Sequence, residues 1–126
     1  MPRIRSIKPD FFTNDELAEV KPLGRLLFIG LWCIADKGGR LRDRPTRIKA
    51  SIQPFDGANV HKLLDGLQDK GFITRYEVDG KRYIQIVNFA KHQRPHYKEE
   101  ESKIPPCLNH ARPNVEPSKG DGRGQP

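Results

Sequence analysis

Cysteine is scarce in this sequence, with only Cys33 and Cys107, and two thiols do not make a disulfide framework. A reducing cytoplasm is the simpler setting. No apolar run approaches the ~18 residues needed to cross a membrane. The longest, LLFIGLWCIA at residues 26–35, reads as a buried helix. The basic start MPRIRSIKPDFF lacks the apolar stretch of a signal peptide, so export is not expected. There is no G-x-x-x-x-G-K-[ST] phosphate loop and no H-E-x-x-H. The acids are scattered rather than clustered as a nuclease would need, and Ser51 has no evident base partner. Neither an enzyme nor a cofactor is expected, and there are no internal repeats.

What is present is charge of one sign. The 126 residues carry a formal net charge of +7, with 35% hydrophobic and 31% charged residues, enough apolar material for one small core. Up to Arg94 there are 18 Lys and Arg against 11 Asp and Glu; from Pro95 onward there are 5 of each. The whole excess therefore lies in the part that looks folded. Clustered positive charge on a small fold most often faces phosphate, with solubility as the bland alternative.

The apolar pattern predicts a helix–strand–helix–helix–hairpin order. Thr13 or Asn14 caps a short helix, DELAEV. Pro22 opens PLGRLLFIGLWCIAD, apolar around most of its circumference, with Phe28, Leu31, Trp32 and Ala35 as core contacts. Gly38 and Gly39 stop it. Residues 39–42 form a brief strand with Leu41 inward. Asp43 is placed to cap the helix RPTRIKASI, in which Ile48 and Ile52 face inward. In the helix at about residues 59–70, Val60, Leu63, Leu64 and Leu67 make one stripe. FITRYEVDGKRYIQIVNF is a hairpin turned at Asp79-Gly80, with Tyr76 and Tyr83 as cross-strand partners. Residues 1–12 read as a basic arm, 13–91 as the folded domain, and 92–126 as a Pro-, Gly- and charge-rich disordered tail. These are the ingredients of an α+β winged helix-turn-helix: a three-helix core, a short strand and a C-terminal β-hairpin wing.

Several cations are candidates for phosphate contact. Arg40 and Arg42 share a strand face opposite Leu41, while Arg44 and Arg47 share a helix face, with Lys49 close by. Lys81 and Arg82 follow the hairpin tip. The alternative is a solvated face with local ion pairs such as Arg44 to Asp43. Arg3, Arg5 and Lys8 stand in the arm, as backbone contacts or as solvated charges. Asn59, His61 and Lys62, at the start of the later helix, are candidates for base contact. Asp65 and Asp69 on the same helix argue against a simple recognition helix. His92, His96, Cys107 and His110 give H-x3-H and C-x2-H, but the intervening prolines argue against an ordered zinc site, and no metal is expected.

The ordered set RIRSIKPDFFTNDELAEV, GRLLFIGLWCIAD, GRLRDRPTRIKASIQPFD, YEVDGKRYIQIVNF and KHQRPHYKEEESKIP resembles the N-terminal winged-helix module of phage replication proteins. These are the replisome organisers, replication initiators and helicase-loader types of phages and prophages. The match covers about residues 3–105. The resemblance implies double-stranded DNA binding in the host bacterial cytoplasm, followed by recruitment of a host helicase or helicase loader through a C-terminal part. The chain ends soon after its linker-like tail, so the expectation rests on the DNA-binding module. A phage transcriptional regulator and an adaptor docking an acidic replication partner remain alternatives; no membrane partner is expected.

Overall fold

The computed structural model describes residues 2–107. Its order is a 3-10 turn at Pro9–Phe11, α1 (Asp15–Ala18), α2 (Pro22–Ile34), β1 (Arg40–Arg42), α3 (Pro45–Ile52), α4 (Val60–Asp69), β2 (Ile73–Val78), β3 (Lys81–Ile86) and α5 (Phe89–His92). The three strands form one antiparallel sheet in the order β1-β3-β2, so the architecture is α+β. The 3-10 turn and α5 have no counterpart in the sequence reading, because each is too short to show an apolar period.

Asn14 caps α1, its side chain accepting from the Leu17 amide. Pro22 occupies the first turn of α2, whose Leu27, Phe28, Leu31 and Trp32 are buried. The stop after α2 is made by Asp36, whose Oδ1 accepts from the amides of Gly38 and Arg40. Gly39 then adopts φ 77°, and a Cβ there would lie 2.5 Å from Cβ of Phe89. Only glycine fits both conditions.

Leu41 of β1 pairs with Ile84 of β3, and both point into the core formed by α2, α3 and α4. Val60, Leu64 and Leu67 of α4 are buried, with Leu63 partly so, which makes the stripe expected from their spacing. Ile48 is buried and Ile52 packs at the core edge. Asp79 at φ 53° and Gly80 at φ 79° close the hairpin between Val78 and Lys81. Tyr76 and Tyr83 stand opposite each other with ring centroids 5.7 Å apart.

Two features differ from the sequence reading. Asp43 does not cap α3. With Pro45 at the first helical position, the cap position belongs to Arg44, which makes no side-chain cap bond. The basic arm and the first part of the expected tail are packed on the domain. The Arg3 amide donates to the Cys33 carbonyl. Arg5 donates to the carbonyls of Trp32 and Ala35 and to both carboxylate oxygens of Glu99; the two side chains are 4% and 5% exposed. The Gln93 amide brackets Ser6, accepting from its N–H and donating to its carbonyl. Further on, the Ile104 carbonyl accepts from Arg40 and the Pro105 carbonyl from the Tyr76 hydroxyl. Gln93, Glu99, Ile104 and Pro105 thus tie this segment to the domain through polar contacts that leave no apolar period, while residues such as Tyr97 between them are exposed. Residues 108–126, the rest of the expected tail, lie outside the described residues.

Arg5 holds the Glu99 carboxyl below the usual carboxylate range by hydrogen bonding, against the opposing effect of burial. A carboxylate depressed in the fold contributes stability above its unfolded value, about 4.3, and loses it as pH falls through the folded value. Glu99→Ala leaves a buried guanidinium without its counterion and is expected to cost about 3 kcal/mol at pH 7. Urea melts at pH 7 and pH 3 check this, because the difference between wild type and variant narrows at the lower pH.

Candidate functional site

The strand-to-helix corner at residues 42–44 adjoins the hairpin. Its Asp43 amide donates to the Arg82 carbonyl at 3.0 Å, and Arg42 stands opposite Tyr83 with its guanidinium 5.6 Å from the ring centroid. The corner and the β2–β3 hairpin therefore present Arg42, Arg44, Lys81 and Arg82 in one region of the surface. Arg47 follows one turn into α3. All five are exposed, as is Lys62 on α4. None of these six pairs with a carboxylate of the described residues.

The other candidates sit differently. Arg40 is half-buried on the outer sheet face, donating from Nε to Gln85 Oε1 and from Nη1 to the Ile104 carbonyl. That removes it from the free cations. Lys49 is half-buried with Nζ 3.4 Å from the Gln53 carbonyl. Asn59 is spent as the cap of α4, its Oδ1 accepting from the Lys62 amide at 3.1 Å. His61 and Lys62 remain as exposed polar side chains at the start of α4. Beside Arg40, burial pushes the Tyr76 hydroxyl up to about 12, which keeps it a neutral donor to Pro105.

Arg75 of β2 joins the corner to α4. Its side chain is 8% exposed and that of Asp43 is 1% exposed. Nε and Nη2 donate to the two oxygens of Asp43 at 2.6 and 2.9 Å, a bidentate pair. Nη1 donates to Asp65 Oδ1 at 2.8 Å, and Nη2 approaches His61 Nδ1 at 3.0 Å. The Arg75 amide donates to Gln68 Oε1 at 2.7 Å. Hydrogen bonding to Asp43 is the largest cause that holds the Arg75 pKa above its ordinary value. The sequence reading assigned Arg75 no role. A usable signal was there: period two puts Arg75 on the same strand face as Ile73, where a cation needs a carboxylate.

Among the described residues no group of three or more His, Cys, Asp or Glu side chains is placed to hold a metal, and His110 lies outside them. No described helix is long and apolar enough to cross a membrane. Comparison with protein-family models, curated proteins and solved structures finds no match.

Asp43→Ala leaves the Arg75 guanidinium buried without its main partner and is expected to destabilise the fold by about 3–5 kcal/mol. Arg44→Ala, one residue along and exposed, is expected to stay within about 0.5 kcal/mol of wild type. Denaturant unfolding of the two variants makes the comparison.

Proposed function

We propose that this chain is a winged-helix DNA-binding protein of phage or prophage replication, acting in the host cytoplasm in replication initiation or replisome organisation. The observation that carries the reading is the set of exposed, unpaired cations contributed by the β1–α3 corner and the hairpin, which the Asp43–Arg82 backbone bond holds side by side. The element order supports the winged-helix assignment. α4 follows α3 after the seven residues 53–59 and packs on it, and the two-stranded hairpin closes the sheet in the order β1-β3-β2. Arg42, Arg44, Arg47, Lys81 and Arg82 take the phosphate contacts in this proposal, with α4 presented to the major groove. Phosphate contacts fix register and orientation without reading sequence. The replication role, and a helicase or helicase loader as partner, rest on the family resemblance.

If about five cations meet phosphates, log K falls against log salt with a slope of about −4.5 on duplex DNA. Arg44→Ala/Arg47→Ala flattens that slope by about 2 and weakens binding to all sequences alike. Fluorescence titrations of duplex DNA at several salt concentrations measure both quantities, and a flat dependence for the wild type rules the proposal out.

A further inference from the structure

All five N–H hydrogens of the Arg75 guanidinium have acceptors. They are the two oxygens of Asp43, Oδ1 of Asp65, Nδ1 of His61 and, at 3.5 Å, the His61 carbonyl. A guanidinium only donates, so Nδ1 of His61 accepts and the ring hydrogen sits on Nε2. That Nε2 makes no hydrogen bond among the described residues; Asp65 Oδ2, at 3.9 Å, is beyond reach. The Oδ2 oxygen has no donor among them either, because Arg75 uses Oδ1. His61 and Asp65 are 55% and 52% exposed and lie one helical turn apart on α4.

The result is a fixed outward donor, Nε2–H, beside a free outward acceptor, Oδ2. On the major-groove edge, adenine presents an acceptor at N7 next to a donor at N6. Guanine presents two acceptors there, and cytosine a donor. A donor beside an acceptor matches adenine. It sets a carboxylate oxygen against O6 of guanine, where two acceptors meet without a hydrogen. The carboxylate would normally be repelled by DNA, but Arg75 bonds its other oxygen from behind.

We infer that His61 and Asp65 together read one adenine in the major groove and that Arg75 is the positioning residue that fixes their hydrogen-bonding pattern. The inference rests on the proposal that α4 faces DNA. It turns Asp65 from an obstacle to recognition into half of the reading pair.

The test is selection from a randomised duplex library, followed by titration of the selected site and its single-base variants. Wild type is expected to select adenine at one position and to bind roughly tenfold more weakly when that base pair is changed to place guanine there. Asp65→Asn keeps an oxygen for Arg75 and turns an amide N–H outward, so its preferred base at that position switches to guanine, which offers acceptors at both N7 and O6. His61→Ala removes the outward donor while Arg75 keeps Asp43 and Asp65, and so loses the adenine preference. Both substituted positions are half exposed, and urea melts check that each variant is folded. An unchanged base preference in Asp65→Asn, or no adenine preference in a wild type that still binds duplex with a steep salt slope, overturns the inference and leaves DNA binding standing. No salt-dependent binding by the wild type overturns both.

Discussion

The bidentate pair between Arg75 and Asp43 is the contact on which the arrangement of the candidate surface depends. Both groups are almost entirely out of water. Their mutual attraction has to offset the desolvation of two ions, and a buried pair of this kind is weak evidence for stability in itself. Its structural effect is clearer than its net energy. Arg75 on β2 bonds the residue that follows β1, two side chains of α4 and, through its backbone amide, a third. A sheet, a corner and a helix are fixed to one another at one polar point at the edge of the apolar core.

That point also guards the register of the hairpin. Ile73 and Arg75 alternate with Thr74 and Tyr76 along β2, opposite Ile86 and Ile84 of β3. A slip of one residue would turn Arg75 to the outer face and bring Tyr76 inward. Asp43 and Asp65 would then face no cation, and the Tyr76 hydroxyl would lose the Pro105 carbonyl. The apolar residues and the ion pair therefore select the same pairing, which is the kind of agreement between levels that favours a single fold.

The parts of the fold legible in the sequence are those carried by period. The α4 stripe, the all-round apolar α2 and the Asp79-Gly80 hairpin announce themselves because burial repeats at 3.6 or 2 residues. The parts that were not legible are carried by single polar contacts between residues far apart in the chain. Arg5 and Glu99 are 94 residues apart, and nothing in KEEESKIP marks one glutamate of three as buried. Asp43 looked like a helix cap because capping is the commonest use of an aspartate near a helix start. The proline at the first helical position already assigned the cap to Arg44, so that error was avoidable. Of the candidate site, the cations at the corner and the hairpin tip were readable as exposed charge. The diversion of Arg40 to Gln85 was not, because it depends on a partner that only the fold supplies, whereas the capping of α4 by Asn59 is a local signal, three residues ahead of the Lys62 amide, that the reading passed over.

The same contacts help explain why the exposed cations make no ion pair among the described residues. Several acids are engaged by other cations: Asp43 and Asp65 with Arg75, Glu99 with Arg3 and Arg5, Glu101 with Lys37, and Glu19 with Lys70, while Glu77, opposite Arg82 across the hairpin, makes no ion pair among the described residues. The buried or half-buried guanidiniums draw the carboxylates because an unpaired ion costs far more inside than at the surface. Arg42, Arg44, Arg47, Lys62, Lys81 and Arg82 keep their charge in water, where an exposed ion pair would contribute little. Surface cations free of ion-pair partners are the groups the proposed phosphate contacts would use. In this chain the interior ion pairs and the exterior charge are two sides of one distribution: Arg75 takes the acids that would otherwise weaken the basic face, and in doing so holds α4 beside it.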